Sequence, residues 1–309
     1  ISETSIPLPQ REVQDQLVMM IKGLQAQIGQ ARDRLATIPA LLKKFRQSVL
    51  AAACSGQLTA DWREINDPKG ALSSETLLVA RVQQGTETKR KLVEVSKDIG
   101  VEYEVPTQWS IASTSCLCSD IVDCPHSTPK YGEGSFKAID TNAITDSGIK
   151  VEKLRSLAEE AFNSRNRRLI PRGGDIVFAR EGSVGNAVIL PDSPRVCLGQ
   201  RVMLLRPAEG ISPGYLCIAL TSPYTRAQYR DQILGTTVAH VNVGDVVRFA
   251  LPVPSSEEQA EIVRRVESLF ALADSIESRL AEATAQVERT TQAILAKAFR
   301  GELISEVAS

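Results

Sequence analysis

Four residues near the centre of the chain are of the types that bind zinc. They follow the pattern C-x-C-x5-C-x-H: Cys116, Cys118, Cys124 and His126. Thiolates and imidazoles are preferred zinc ligands, but this spacing matches none of the standard zinc motifs. Buried free thiols are therefore the favoured interpretation, and we expect no bound metal. The second histidine, His240, has no recognisable nucleophile with it, which argues against acid–base or nucleophilic catalysis.

The strongest local charge lies in the segment from Lys150 to Arg172. It contains seven basic residues against three acidic ones, with Arg165, Arg167 and Arg168 close together. Basic side chains bind DNA phosphate without reading sequence, whereas Arg, Lys, Asn and Gln at groove edges can read bases. A nucleic-acid surface and a solvated charged helix followed by a loop are equally open interpretations. The chain has neither a G-x-x-x-x-G-K phosphate loop nor a dinucleotide-binding fingerprint.

The overall composition is that of an ordinary globular protein. The 309 residues are 43% hydrophobic and 24% charged, and the net charge of −1 means that any surface for DNA must be local. No apolar run approaches the length of a membrane helix, so we expect no membrane partner. Six scattered cysteines and no recognisable signal peptide predict reduced thiols and a cytoplasmic protein.

The elements that position these residues include an internal repeat. At a constant offset of 245 positions, the segment beginning at Ile6 aligns without a gap with the segment beginning at Leu251 for about fifty residues. The two copies share a Pro-x-Pro entry, an Arg-Leu-Ala triplet and a closing glycine: Pro7, Pro9, Arg34–Ala36 and Gly56 fall on Pro252, Pro254, Arg279–Ala281 and Gly301. Two copies predict two equivalent elements with related roles.

Both copies carry an apolar period of 3.5 residues, which is typical of a coiled-coil seam. In the first copy the seam is Leu17, Ile21, Leu24, Ile28, Ala31, Leu35, Ile38, Leu42, Phe45, Val49 and Ala52. In the second it is Ile262, Val266, Leu269, Ala273, Ile276, Leu280, Ala283, Val287, Thr290 and Ile294. We predict a helix from about Gln14 to Leu58 and a partner that begins at a Ser255 or Ser256 cap. Ordinary amphipathic helices in a globular core are the alternative.

Two features define these helices further. Pro39 removes one backbone hydrogen bond and should bend the first helix near Leu35, whereas Thr284 holds the matching position in the second. If the intervening residues form a compact body, the two helices leave it side by side and pair antiparallel.

The chain between the two copies changes character along its length. The stretch TADWREINDPKG, from residue 59, predicts a loop, and a helix is expected near Ser74 to Gln84. Short β-rich runs separated by Gly, Pro, Asn and Asp follow residue 101, which predicts an α+β domain. A hairpin is expected with strands ending at Arg180 and Leu190, and a helix from Ser222 to Leu234.

The segment GTTVAHVNVGDVVRFALPVPSSEEQAEIVRRVESLF, from Gly235 to Phe270, resembles the specificity subunit of type I restriction-modification enzymes. GDIVFAREGSVGNAVI and AAACSGQLTADWRE are similar to the same family. In that family two target-recognition domains alternate with two long helical spacers, and each domain reads one half of a bipartite DNA site. The fold class expected from the resemblance is α+β, with one globular target-recognition domain and two long helices forming an antiparallel coiled coil.

The resemblance also implies a domain division. Residues 1–58 would form a central spacer helix, 59–100 a helical linker, 101–249 the target-recognition domain and 250–309 the C-terminal spacer helix. With one such domain and a first residue that aligns with a domain's tail, the chain is expected to be the C-terminal half of a full subunit. A half-sized subunit that dimerises is the alternative.

The same resemblance implies partners rather than catalysis. We expect double-stranded DNA, methyltransferase (modification) subunits and a restriction (translocase and nuclease) subunit as partners, with self-association of the chain as a further expectation. The chain has no Pro-Pro sequence, so it lacks the Asn/Asp-Pro-Pro-aromatic motif of adenine methyltransferases. In the family that the chain resembles, methylation and cleavage belong to separate subunits, which implies S-adenosylmethionine, ATP and Mg in the partner subunits and no cofactor in this chain. A coiled-coil scaffold or adaptor whose inserted domain binds protein is the alternative function.

Candidate DNA contacts are polar residues on predicted loops. The candidates are Lys130, Tyr131, Arg165, Arg167, Arg168, Arg180, Ser183, Asn186, Thr236, Thr237, His240 and Asn242. The last four match a family motif that could equally join the domain to the coil.

Overall fold

The computed structural model describes residues 9–66, 104–230 and 239–305. The chain divides into two compact units, one formed by Ile1–Arg46 with Ser268–Ser309 and the other by Gln47–Glu267. Two long helices, α1 (Arg11–Cys54) and α8 (Ser256–Phe299), contribute to both units. The predicted helix near Ser74 to Gln84 lies outside the described residues.

The remaining helices are short: α2 (Ala60–Asn66), α3 (Thr114–Leu117), α4 (Glu159–Arg165), α5 (Pro213–Thr221), α6 (Pro223–Ala227), α7 (Val243–Arg248) and α9 (Glu302–Ser305). The strands are β1 (Ser110–Ser113), β2 (Cys118–Asp123), β3 (Tyr131–Ile139), β4 (Ile144–Thr145), β5 (Gly148–Ile149), β6 (Arg155–Leu157), β7 (Ile176–Ala179), β8 (Ala187–Ile189), β9 (Val196–Leu198), β10 (Val202–Pro207) and β11 (Ala250–Val253). The predicted fold class, an α+β domain with two long helices, is confirmed.

Helix α1 has the face that its apolar period predicts. Every seam residue from Leu17 to Ala52 is half-buried or buried, and Leu42 and Val49 are buried. The 44-residue helix is about 66 Å long at about 1.5 Å per residue. It passes through Pro39 without interruption and ends before Gly56, whose φ of 77° is left-handed.

Helix α8 repeats this face less completely. Ile262, Val266 and Ala273 are buried, but the predicted seam residues Ile276 and Thr290 are exposed. The helix is followed by Gly301, with a φ of 74°, in the position equivalent to Gly56. The closing glycines therefore share one backbone conformation, as expected of residues that terminate a helix.

Within the first unit, Arg46 joins the two long helices. Its guanidinium lies 2.6 Å from the Asp274 carboxylate, 3.3 Å from that of Glu277 and 5.2 Å from the centre of the Phe270 ring. The C-terminal part of α1 therefore contacts the N-terminal part of α8, which is the arrangement of an antiparallel pair.

The repeated Pro-x-Pro entry also has a repeated geometry. In α8, Gln259 Nε2 donates to the Pro254 carbonyl at 3.1 Å, and in α1 the equivalent Gln14 Nε2 donates to the Pro9 carbonyl at 2.7 Å. The side chain of Ser255 caps α8 by accepting from the Glu258 N–H at 3.2 Å, so Ser255 is the predicted N-cap.

The second unit contains the α+β domain. Its main sheet is antiparallel with the order β2-β10-β7-β8, and a second sheet has the order β6-β3-β9 with β3 and β9 parallel. The central strand β7 is buried at all four residues, as expected for a continuous apolar run covered on both faces. The predicted hairpin is confirmed, because β7 and β8 pair antiparallel with Phe178 opposite Ala187.

Three sequence expectations are wrong in detail. The predicted loop after residue 59 contains helix α2, which is held by tertiary contacts of Arg63 described below. The helix predicted from Ser222 to Leu234 begins where expected, because the Ser222 hydroxyl accepts from the Thr225 N–H to start α6, but α6 ends at Ala227. Residues 231–234 lie outside the described residues. The first four residues assigned to the C-terminal spacer helix, Ala250–Val253, instead form β11, which pairs with β1 inside the second unit.

Candidate nucleic-acid interface

Arg165, at the C-terminus of α4, ties together two loops that are distant in sequence. Its Nε donates to the Leu198 carbonyl at 2.6 Å and its Nη2 to the Gly199 carbonyl at 2.5 Å. On the other side, Nη1 donates to the Ser127 carbonyl at 2.8 Å and Nη2 to the Pro125 carbonyl at 3.3 Å. Arg165, which was predicted to contact DNA, thus donates its hydrogen bonds to the protein's own backbone.

The basic residues around Arg165 are more exposed to solvent than Arg165 itself. Lys130, Arg167 and Arg168 are exposed, and they lie on the segments that flank the Arg165 contacts. A further bond, from Gln200 Nε2 to Thr128 Oγ1 at 2.9 Å, joins the same two loops. The structure therefore brings together the candidates near residue 130 and those near residue 167, which are separate in the sequence.

Tyr131 begins β3 beside this surface and is half-buried. The Arg155 guanidinium lies 3.3 Å from the centre of its ring, as in a cation–π contact. Burial and the charge of Asp140 raise the pKa of Tyr131, while Arg155 and Arg165 act in the opposite direction. The phenol therefore remains protonated at neutral pH and can donate a hydrogen bond.

The hairpin candidates are largely engaged inside the domain. Arg180 forms a 2.9 Å ion pair with Asp123 and donates to the Val241 carbonyl at 3.3 Å. The Ser183 hydroxyl donates to the Thr141 carbonyl at 3.0 Å, and Asn186 Oδ1 accepts from Arg226 at 3.0 Å. These four contacts fix the shape of the turn.

A glycine makes part of this turn possible. Gly185 has a φ of 80°, and a Cβ built on it would lie 1.9 Å from the Tyr229 hydroxyl oxygen. Any larger residue there would collide with Tyr229 and adopt an unfavourable backbone conformation. The turn between β7 and β8 is therefore closely packed against α6 and the residues that follow it.

Arg201 is a further candidate residue that sequence reasoning missed. It is a non-glycine residue with a positive φ (65°), and its side chain is 58% exposed at 3.1 Å from the Glu181 carboxylate. Such backbone conformations are uncommon and concentrate at functional positions. No local sequence signal marked Arg201, whose carbonyl accepts a hydrogen bond from the N–H of Arg180, a residue distant in the sequence.

The remaining candidates lie near the end of the domain. Thr236 and Thr237 fall outside the described residues. His240 forms a β-bridge with Glu181, and Asn242 precedes α7 with its amide nitrogen 3.2 Å from the Asp245 carboxylate. His240 thus lies beside the hairpin turn.

The charges at the site divide into two classes. Arg180 and Arg201 are paired with carboxylates, so much of their field is cancelled. The four acceptors of Arg165 are backbone carbonyls, whose negative ends face the guanidinium and offset part of its charge. The exposed charges of Lys130, Arg167 and Arg168 favour an anionic ligand on this surface.

The three cysteines of the zinc-like pattern are buried and form no disulfide, and His126 is exposed. In residues 9–66, 104–230 and 239–305, no three His, Cys, Asp or Glu side chains are grouped as a metal site requires. Burial raises the pKa of Cys197 to about 11, against the influence of Arg165, so this thiol beside the site is not nucleophilic at neutral pH.

Comparison with known proteins identifies the family. The profile described as the type I restriction modification DNA specificity domain matches residues 123–285, slightly more than half of the chain. This range contains all the described candidate residues. The chain belongs to the type I restriction-modification specificity family.

Individual members of the specificity family match nearly the whole chain. The specificity subunit of the EcoBI type I restriction enzyme from Escherichia coli is 32% identical over 99% of this chain and 60% of its own length. The EcoDI specificity subunit from the same species is 28% identical over 99% of this chain and 64% of its own length. The chain thus spans about three fifths of these relatives.

Solved structures agree with this fold. The HsdS subunit from Thermoanaerobacter tengcongensis aligns with a TM-score of 0.51 at 19% identity, covering 96% of this chain and 60% of that one. A chain from a study of complex assembly and conformational transition in the type I R-M system aligns with a TM-score of 0.50 at 20% identity, covering 88% and 60%. Among the described helices of this family member, none is long and apolar enough to cross a membrane.

Proposed function

We propose that this chain reads one half of a bipartite DNA target as part of a type I restriction-modification specificity subunit. The observation that carries the proposal is the family match over residues 123–285, because that range contains the surface on which Arg165 gathers the exposed basic residues. Lys130, Arg167 and Arg168 would bind phosphate, and the hydroxyl of Tyr131 beside them would contact a base edge. The hairpin residues Arg180, Ser183 and Asn186 shape the turn beside this surface.

The two long helices would act as the spacer and as a docking surface for methyltransferase subunits. A helix of about 66 Å matches roughly two turns of DNA at about 34 Å each. Large apolar side chains on the outer faces of the helices, such as Met19, Leu272 and Phe299, are exposed. Exposed apolar groups on a paired helix suit a protein partner.

In this proposal the chain is not itself an enzyme. The described site holds basic, amide and hydroxyl groups, which bind DNA but supply no nucleophile–base pair. Methylation and cleavage would reside in the modification and restriction subunits, together with S-adenosylmethionine, ATP and Mg. The chain would work in the compartment that contains the genome, the cytoplasm.

The test is specific DNA binding by the assembled complex that contains this chain. Methylation mapping in a host with the intact system identifies the target, and binding is then measured for target and scrambled duplexes at several salt concentrations. We expect preference for the target of at least about a thousandfold and a steep fall in affinity with salt. Equal binding to both duplexes, or binding insensitive to salt, would instead support the scaffold or adaptor alternative.

A further inference from the structure

We propose that Arg165 is a positioning residue for sequence readout, which holds the DNA-facing loops in their reading geometry without itself contacting DNA. This inference rests on the proposed function and deepens it. It assigns Arg165 a different role from its neighbours Arg167 and Arg168, although the sequence presents the three as one basic cluster.

The geometry of the guanidinium carries the inference. Its three nitrogens donate to four backbone carbonyls, those of Pro125, Ser127, Leu198 and Gly199. Two of the acceptors precede Lys130 and two precede Arg201. The donors of one side chain therefore connect a loop near residue 126 with a loop near residue 199, across about seventy positions of sequence.

A guanidinium suits this position better than an ammonium would. Arginine presents five donors in a planar fork, so one side chain can satisfy carbonyls on both sides. Lysine would retain the charge but not the geometry of the fork. The comparison of lysine with glutamine at this position therefore separates a role of shape from a role of charge.

The four hydrogen bonds of Arg165, which we call the Arg165 clasp, have a consequence for the readout of DNA sequence. The loop bearing His126, Ser127 and Lys130 is exposed at those three residues. Base contacts discriminate only when the donors and acceptors are held close to the productive geometry, whereas phosphate contacts tolerate movement. Loss of the clasp should therefore reduce discrimination between sequences and leave general affinity for DNA intact.

Arg165→Gln, Arg165→Lys, Arg168→Gln and Arg168→Lys in the assembled complex test the proposal. For both Arg165 variants we expect the target-to-scrambled affinity ratio to fall about tenfold or more, with scrambled affinity and the salt slope unchanged. For Arg168→Gln, a phosphate contact predicts equal loss on both duplexes and a salt-slope magnitude smaller by about 0.9, with recovery in Arg168→Lys.

The outcomes are distinct. If Arg165→Gln lowers both affinities and the salt slope, and Arg165→Lys restores them, Arg165 is a phosphate contact and the proposal is wrong. An unchanged affinity ratio in both Arg165 variants also overturns it. If the Arg165 variants do not fold, the deciding variant is Gln200→Ala, which removes the hydrogen bond to Thr128 that also joins the two loops. Reduced discrimination between target and scrambled duplexes then supports the proposal, and unchanged discrimination refutes it. Failure of the proposed function appears separately, as wild-type complex without sequence preference.

Discussion

A single buried carboxylate organises the junction where the second long helix begins. Glu258 is fully buried and accepts hydrogen bonds from Thr59 Oγ1 at 2.7 Å and Trp109 Nε1 at 2.8 Å. It also pairs with Arg63, whose guanidinium donates to the Gly56 carbonyl at 2.7 Å. These contacts explain why α2 forms where the sequence alone predicted a loop.

The network predicts a large effect for Glu258→Gln. The substitution removes the charge but little volume, and it leaves the mostly buried Arg63 without its anionic partner. We expect the free energy of unfolding to fall by about 3 kcal/mol, measured by urea denaturation. Glu257→Gln is the matched control, because Glu257 is exposed one position earlier, and it should cost about 0.5 kcal/mol. Equal losses for both variants would contradict this account of the junction.

At the scale of elements, the paired helices depend on one narrow apolar face. In α1, Leu42 is 6% exposed whereas the adjacent Leu41 is 59% exposed. The two residues have the same chemistry and the same helical propensity. The difference in exposure between Leu41 and Leu42 therefore arises only from their positions relative to the seam.

This contrast makes a direct prediction for the seam. Leu42→Ala should lower the free energy of unfolding by about 3 kcal/mol, since it removes a buried side chain and leaves a cavity. Leu41→Ala should change it by less than about 0.5 kcal/mol. Thermal and urea unfolding followed by circular dichroism at 222 nm measure both. A larger loss for Leu41→Ala would place the seam on another face and would refute the predicted register.

At the scale of the whole molecule, the proposed spacer role would tie the length of the helix pair to the spacing of the DNA half-sites. Arg46 lies opposite Asp274, and in an antiparallel pair this register sets residues 25–31 of α1 opposite residues 289–295 of α8. Each of these segments is one heptad. Deleting both heptads shortens the helix pair by about 10 Å, which corresponds to about three base pairs.

We expect the complex with both heptads deleted to recognise a target whose half-sites are about three base pairs closer together, with the half-site sequences unchanged. Methylation mapping of the variant measures the spacing directly. Lys22→Ala, an exposed substitution in the same helix, should retain the wild-type spacing. Unaltered spacing after the paired deletion would exclude the helices as the spacer, while leaving DNA recognition by the domain untouched.

The sequence by itself determined the local features of this protein. Apolar period, capping residues and closing glycines located both long helices to within a few residues, and alternating β-rich runs located β7, β8 and β10. These features are predictable because neighbouring residues produce them. The family was also recognisable, since its motifs lie in continuous stretches such as the Pro-x-Pro entry.

Only the tertiary structure decided the roles of individual polar residues. Arg165, Arg167 and Arg168 are indistinguishable as letters, yet Arg165 is bound by carbonyls more than thirty positions away and the other two are exposed. Likewise α2 forms because Arg63 meets Glu258, a residue 195 positions distant. Such contacts depend on how distant segments of the chain pack together. A side chain can donate hydrogen bonds to DNA only through donors that are not already bonded within the fold.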